Sequence, residues 1–151
     1  MPKIDFYLIP TTNEKERLAV ACRLVEKIYK QQRRIYIHTD NETAAHHMDE
    51  LLWTYRNDSF LPHHLVGEGP EPAPPIQIGY HITPHRHLDV LMNLNACAPE
   101  FYHQFSRVLE LISHDPDITA AGRERYKFYR SAGWNITTHK LTTSTEILIE
   151  E

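Results

Sequence analysis

Cysteine, glycine and long apolar runs are all scarce in this 151-residue sequence. Its two cysteines, Cys22 and Cys97, are too few for a disulfide-stabilised scaffold or a cysteine-rich zinc module. Because the apolar runs span only a handful of residues, we expect no membrane-spanning helix. Residues 1–5 (MPKID) lack the apolar core of a signal peptide, which predicts a soluble protein of the cytoplasm.

Excess positive charge is also missing. The chain has 16 basic and 20 acidic residues and a net charge of −4 with histidine neutral, which argues against a protein that coats duplex nucleic acid. Its hydrophobic content of 41% predicts a folded globular chain. The charge is uneven, however, because residues 1–122 carry −5, residues 123–140 carry +4 and residues 141–151 carry −3. One concentrated basic segment therefore lies within a mildly acidic chain.

Short apolar segments alternate with amphipathic ones along the chain. The predicted strands cover residues 3–9, 34–38, 76–80, 88–94 and 108–112. The first predicted helix has one apolar face, formed by Leu18, Ala21, Cys22, Val25, Ile28 and Tyr29. Cys22 lies on that face, so we expect a buried side chain rather than a reactive thiol.

This alternation predicts a single Rossmann-like α/β domain over residues 1–140, with a mainly parallel sheet and helices on both faces. Residues 60–75 hold five of the ten prolines and are expected to form a long loop without regular structure. Residues 141–151 are expected to form either a disordered tail or an added edge strand.

Glycine is absent where a nucleotide-binding fold of this kind needs it. The turn after the first strand, residues 10–13 (PTTN), contains none, and neither a dinucleotide-binding nor a P-loop motif occurs elsewhere. A nucleotide-dependent enzyme is therefore the alternative function rather than the favoured one. The histidines occur as adjacent pairs or in turns, and carboxylate pairs fall at helix caps, so no metal site, cofactor or catalytic residue is predicted.

The last predicted helix carries the sharpest pattern. It begins with Asp115 as its cap and Pro116 at its first position, and Gly133 marks its end. Three cations on it, Arg123, Lys127 and Arg130, share one narrow arc at spacing i, i+4, i+7, with Tyr126 beside them. The opposite side, which we expect to face the sheet, carries Ala121, Phe128, Tyr129 and Ala132.

The three cations have no acidic residue at i±4, so repulsion between them is not offset along the helix. Such an arc suits a carboxylate-rich peptide, a phosphate backbone, or simply a solvated helix face.

A second pattern is apolar. The second predicted helix runs to about Tyr55 with Met48 facing inward, and Trp53 points about 140° away from Met48. Four apolar residues follow in the proline-rich segment: Phe60, Leu61, Pro62 and Leu65. They predict either a protein–protein contact or a loop folded back over its own helix.

Two stretches make the sequence recognisable. Residues 49–70 (DELLWTYRNDSFLPHHLVGEGP) and 122–135 (GRERYKFYRSAGWN) resemble the chi subunit family of bacterial DNA polymerase III holoenzyme, and residues 5–8 (DFYL) fit the opening strand of that family. The resemblance extends in element order over residues 3–140. Its most specific parts are R-E-R-Y-K-x-Y-R-x-A-G and S-F-x-P-H-x-L-x-G-E-G-P.

The resemblance implies a non-catalytic accessory subunit of the clamp-loader assembly. By this likeness, the acidic C-terminal tail of single-stranded DNA-binding protein would bind Arg123, Tyr126, Lys127 and Arg130, with an apolar recess for the terminal Phe of that tail. The psi subunit would bind a surface formed by Trp53, Phe60, Pro62 and Leu65. An accessory DNA helicase is a further candidate partner for the same surface. DNA would then be contacted only indirectly, and no membrane would be involved.

Two features depart from the family pattern. Thr119, one turn before Arg123, is neutral where a further cation would help to hold an acidic tail, so a lower tail affinity is expected. Residues 141–151 extend past the recognisable region and have no assigned role.

Overall fold

The computed structural model describes residues 3–54, 61–65, 75–80 and 89–142. Its elements, in chain order, are β1 (Lys3–Leu8), α1 (Glu14–Lys30), β2 (Ile35–His38), α2 (Glu42–Thr54), β3 (His63–Leu65), β4 (Ile76–Gly79), β5 (Val90–Asn93), a 3₁₀ turn (Tyr102–Gln104), β6 (Arg107–Ile112), α3 (Pro116–Ser131) and β7 (Asn135–Lys140). The strands form one sheet in the order β3-β4-β2-β5-β6-β1-β7, and every pairing is parallel. The predicted α/β fold is confirmed.

The first helix shows how local chemistry places these elements. Asn13 caps α1 through its Oδ1, which accepts hydrogen bonds from the backbone amides of Lys15 at 2.8 Å and Glu16 at 3.4 Å. The predicted apolar face is buried against the sheet, and Cys22 is 2% exposed within it. Burial raises the pKa of the Cys22 thiol to about 12, so this cysteine is a packing residue, as the sequence predicts.

Helices cover both faces of the sheet. On one face, Leu18 and Val25 of α1 and Met48 and Leu52 of α2 pack in the larger core with inward side chains of the strands. On the other face, Tyr129 of α3 packs in a second core that is rich in aromatic rings; its strand and connecting residues include Phe6, Tyr36, Phe101, Phe105 and Val108. The helix that carries the basic arc is therefore alone, among the described helices, on its face of the sheet.

The structure corrects the prediction that residues 60–75 lack regular structure. His63–Leu65 form β3, an edge strand that pairs with β4 through the register His63↔Ile76 and Leu65↔Ile78. The prolines of this segment predict irregular structure, and a strand of only three residues is too short for a period-two pattern to stand out. Of the five prolines in that segment, Pro62 and Pro75 are described, and the other three lie outside the described residues.

The opposite edge of the sheet is also a strand that the sequence analysis did not predict. Asn135–Lys140 form β7 beside β1, directly after Gly133, whose φ of +87° turns the chain out of α3. Residues 141–151 are predicted to form either a disordered tail or an added edge strand. Of these, Leu141 is 4% exposed in the core, and its amide donates to the Leu8 carbonyl at 3.1 Å. Residues 143–151 lie outside the described part of the chain.

Within the described ranges, no helix has both the length and the apolar character needed to cross a bilayer. In the same ranges, no three His, Cys, Asp or Glu side chains are grouped so that they could hold a metal ion.

Candidate functional site

The helix α3 begins and ends where the sequence predicts. Oδ1 of Asp115 accepts hydrogen bonds from the amides of Asp117 at 2.9 Å and Ile118 at 3.2 Å, with Pro116 at the first helical position. These bonds satisfy amide donors that the first turn of a helix otherwise leaves unpaired.

A buried polar network sets how α3 is rotated against the sheet. Glu110, in the middle of β6, is 0% exposed. Its Oε1 accepts a bond from Arg125 Nε at 2.9 Å, and its Oε2 accepts bonds from Tyr129 Oη at 2.6 Å and Asn93 Nδ2 at 3.0 Å. A further bond runs from Arg125 Nη1 to the Ala96 carbonyl at 2.6 Å. Strands β5 and β6 and the loop after β5 therefore all hold α3 in one orientation.

Burial also changes the protonation chemistry of this network. Complete burial raises the pKa of Glu110, although the Arg125 charge and the hydrogen bonds from Tyr129, Asn93 and Arg125 act in the opposite direction. Burial and the neighbouring carboxylate likewise raise the pKa of the Tyr129 phenol, so its hydroxyl remains a donor. Arg125 belongs to the basic segment of the sequence, but its charge is paired with Glu110 inside the protein.

The buried side of α3 differs in part from the predicted one. Its buried residues are Gly122, Arg125 and Tyr129. Phe128 is 48% exposed and Ala132 is exposed, so the expectation that these two face the sheet is wrong, whereas Tyr129 faces it as predicted. The reason is that the Arg125–Glu110 pair and Tyr129 take the inward arc, which turns Phe128 to its margin, where its ring lies 5.4 Å from that of Tyr102.

The three cations of the basic arc lie on the solvent side, as predicted. Arg123, Lys127 and Arg130 are all exposed, and we call them the basic stripe. Lys127 has an acidic neighbour at i−3, since its Nζ lies 3.6 Å from Glu124 Oε2, a contact that the i±4 comparison in the sequence did not consider. Both side chains of that pair are about three-quarters exposed, so water and salt screen it strongly. Within the described residues, Arg123 and Arg130 have no ion pair.

An apolar recess opens beside the basic stripe. It has a volume of about 270 Å³, and its lining residues are Phe6, Leu8, Ile112, Thr119, Gly122, Arg123, Tyr126 and Thr138. A cavity of about 150 Å³ holds a benzene ring, so this recess has room for a phenyl side chain. Tyr126 forms one wall and packs against Phe6, with ring centroids 5.5 Å apart. The stripe, which runs over about two turns of α3, and the recess together place cations next to an apolar hole on one helix.

Gly122 lies at the base of this recess. A Cβ at Gly122 would lie 2.6 Å from Ile112 Cδ1, so a larger residue there would push the end of the Ile112 side chain aside. The neutral Thr119 donates its hydroxyl to the Ser113 carbonyl at 2.9 Å, which fastens the first turn of α3. Phe6, Leu8, Ile112 and Thr138 are site residues that the sequence does not predict, because strand residues from three separate segments meet here only after folding.

The second predicted surface is partly exposed and partly core. Trp53 is 50% exposed at the end of α2, and its ring lies 4.3 Å from that of His63. His63 Nε2 in turn lies 3.2 Å from Asp49 Oδ1. Asp49 therefore holds in place the imidazole ring that the indole contacts. Pro62 is half-buried, but Leu65 is 7% exposed and packs in the larger core. Phe60 lies outside the described residues.

Comparison with known proteins decides the family. Residues 1–137 match the family model described as DNA polymerase III chi subunit, HolC. The chain is 40% identical over 141 residues to DNA polymerase III subunit chi of Pseudomonas aeruginosa, covering 93% of this chain and 98% of that protein. This chain belongs to the DNA polymerase III chi subunit family. Proteins of the same name from Haemophilus influenzae (31% identical, 91% of this chain, 96% of the relative) and Escherichia coli (29%, 91% and 97%) also match.

In this chi-family chain, the two candidate surfaces lie at opposite edges of the sheet. Trp53 and Pro62 accompany α2 and β3 at one edge, while the basic stripe and the recess accompany α3 and β7 at the other. These edges are the two ends of the seven-stranded sheet.

The usual ligand position of a Rossmann-like sheet remains as a crevice of about 560 Å³ at the carboxyl ends of the strands. Its lining carries three acidic residues (Glu14, Asp40 and Asp117) and three basic ones (Lys15, Arg17 and Arg125), and both arginines are paired with carboxylates. The turn after β1 supplies no glycine there. That turn therefore lacks the residue that lets the backbone of a nucleotide-binding fold approach a phosphate closely.

Proposed function

We propose that the protein is a non-catalytic adaptor that links the clamp-loader assembly to DNA coated with single-stranded DNA-binding protein. It works in the cytoplasm at the replication machinery. The psi subunit binds the surface around Trp53, Phe60, Pro62 and Leu65, with an accessory DNA helicase as a further candidate partner there. The acidic C-terminal tail of single-stranded DNA-binding protein binds Arg123, Tyr126, Lys127 and Arg130. DNA is reached only through that protein.

The observation that carries this proposal is the apolar recess beside the basic stripe. An acidic peptide ending in Phe presents carboxylates and one aromatic ring within a few residues of each other. Arg123 lines the recess and also belongs to the stripe, so it stands where a terminal carboxylate lies when the ring is inserted. Charge-assisted bonds from arginine to carboxylate add both strength and direction.

The burial of Leu65 removes one of the four proposed residues from direct contact with the psi subunit. Its side chain packs in the core, so it acts on the partner by supporting β3 rather than by direct contact. The half-exposed indole of Trp53, which contacts the His63 ring, is the part of this surface best suited to be a contact of high energy, because buried tryptophan dominates many interfaces.

Calorimetric titration with an acidic peptide that ends in Phe tests the proposal. Arg123→Ala is expected to weaken binding by about 1–3 kcal/mol, the range for losing a charge-assisted contact. Arg33→Ala is the matched control, because Arg33 is also exposed but lies between α1 and β2. Equal weakening in both variants, or in neither, would contradict the assignment of the tail site.

The nucleotide-dependent enzyme is the second candidate, favoured only by the crevice at the carboxyl ends of the strands. A rise in melting temperature with ATP or NAD would support it, and no rise is expected, because the turn after β1 contains no glycine. Direct binding of single-stranded DNA through the stripe is a further alternative. Titration of the protein with an oligo-dT of about 15 nucleotides tests it.

A further inference from the structure

The last described residues of the chain, Leu141 and Thr142, directly follow a strand that contributes Thr138 to the apolar recess. Lys140, the last residue of β7, is the register partner of Leu8, and the next residue, Leu141, donates its amide to the Leu8 carbonyl at 3.1 Å. Leu8 and Thr138 both line the recess. Leu141 is 4% exposed, so it anchors the chain at this point. Residue 143 therefore comes only five positions after Thr138, which lines the candidate tail site.

The composition of the residues that follow matches the ligand class assigned to that site. Residues 143–151 (TSTEILIEE) contain three glutamates and no lysine or arginine. Ile147, Leu148 and Ile149 stand between the glutamates, so apolar and acidic side chains alternate within a short stretch. The segment has a charge of −3, and the basic stripe carries three exposed cations.

We propose that residues 143–151 occupy the candidate tail site in the same molecule and compete with the acidic peptide of the partner. The glutamates meet Arg123, Lys127 and Arg130, and one branched apolar side chain enters the recess beside Tyr126. This proposal rests on the proposed function, because it assigns a regulator to the same site.

Reach and tethering make such competition effective. A segment of nine residues spans at most about 30 Å when extended, which exceeds the length of α3 that carries the stripe. A short flexible tether gives an effective concentration of the order of millimolar. A segment that would bind as a free peptide with a Kd of about 0.1 mM therefore lowers the apparent affinity for the partner by roughly tenfold, and one with a Kd of about 1 mM lowers it by roughly twofold.

The test neutralises the segment in the full chain. The variant Glu146→Gln, Glu150→Gln, Glu151→Gln is expected to bind an acidic peptide ending in Phe about 2–10-fold more tightly than the unaltered chain, by calorimetry at low salt. The matched control changes three exposed glutamates of α1 and α2, namely Glu16→Gln, Glu42→Gln, Glu50→Gln, and removes the same net charge. The control is expected to leave the affinity within about twofold.

The outcomes separate this inference from the proposed function. Equal peptide affinity for the segment variant and the unaltered chain overturns the inference and leaves the tail site standing, whereas no peptide binding by either chain overturns the tail site itself. Combining the segment variant with Arg123→Ala supports the inference if the gain in affinity disappears. If sedimentation shows dimers that the segment variant abolishes, the segment binds a neighbouring copy, and occupancy within one molecule is wrong.

Discussion

Arg125 Nε donates to Glu110 Oε1 at 2.9 Å between the sheet and α3, and both side chains are at least nine-tenths buried. This pair lies on the inward side of the same helix that displays the basic stripe outward. Because Arg125 cannot shift without leaving a charge unpaired, the rotation of α3, and with it the direction of Arg123 and Lys127, is tied to β6. The network sets a specific orientation and costs desolvation energy in return.

Removing the cation of this pair is expected to destabilise the fold. Arg125→Met should lower the free energy of unfolding by about 3–5 kcal/mol at pH 7, because it leaves the Glu110 carboxylate buried without a counter-charge. Burial already raises the pKa of Glu110, and loss of the guanidinium raises it further, so protonation relieves the variant at lower pH. Urea unfolding should therefore show a smaller deficit at pH 5 than at pH 7. A deficit independent of pH would contradict an ionised Glu110 in the unaltered chain.

Removing the exposed indole is expected to separate the two partner surfaces. Trp53→Ala should abolish association with the psi subunit while leaving the affinity for the acidic peptide unchanged, because the two surfaces lie at opposite edges of the sheet. Phe128→Ala is the matched control, since Phe128 is also a half-exposed aromatic residue but belongs to α3. Size-exclusion chromatography with psi measures the first effect. Loss of psi binding in both variants would show that the assignment to Trp53 is wrong.

Adding a cation one turn before Arg123 is expected to strengthen tail binding. Thr119→Lys extends the stripe along α3 and should improve peptide affinity by about 0.3–1 kcal/mol at low salt, with the gain shrinking as salt rises. The substitution also removes the bond from the Thr119 hydroxyl to the Ser113 carbonyl and should lower stability by about 0.5–1.5 kcal/mol. Thr119→Val, which removes only the bond, is the control. If both variants bind the peptide alike, the added charge has no role.

Asp5 predicts how stability responds to acid. Burial acts to raise its pKa, but hydrogen bonds from His139 Nε2 and Arg107 Nε, both at 2.8 Å, outweigh burial and hold the pKa below the ordinary value of 3.8. The folded state thus binds this proton less readily than the unfolded chain, so the stabilisation is present above about pH 4 and is lost as pH falls through the lower folded pKa. Between pH 5 and pH 3, Asp5→Asn should lose less of its stability than the unaltered chain. Chemical unfolding at a series of pH values measures the difference, and parallel curves would contradict it.

Local chemistry made much of the fold and part of the site predictable. The cap at Asp115, the proline after it and the left-handed Gly133 bound α3 within a few residues, and the spacing of Arg123, Lys127 and Arg130 alone is enough to place them on one exposed arc. Such features depend on residues close together in the sequence. They need no knowledge of what the helix packs against.

The remaining features depend on contacts between distant segments. Phe128 and Tyr129 are adjacent aromatic residues, and only the Tyr129 bond to Glu110, 19 positions earlier, decides which one turns inward. One clue was present, since Glu110 is a lone acid within the apolar run of β6 and calls for a buried cation. The recess is equally nonlocal, because β1, β6, β7 and α3 each supply part of its lining.

The central claim is that an acidic peptide ending in Phe lies across the basic stripe with its ring in the recess. Amide chemical-shift mapping by NMR during titration of that peptide tests it most directly. The account predicts that the largest shifts occur at Arg123, Tyr126 and Thr138, while the amide of Trp53 and those around the carboxyl-end crevice stay in place. Shifts concentrated at Trp53 or at Asp40 in that crevice, with none on α3, would contradict it.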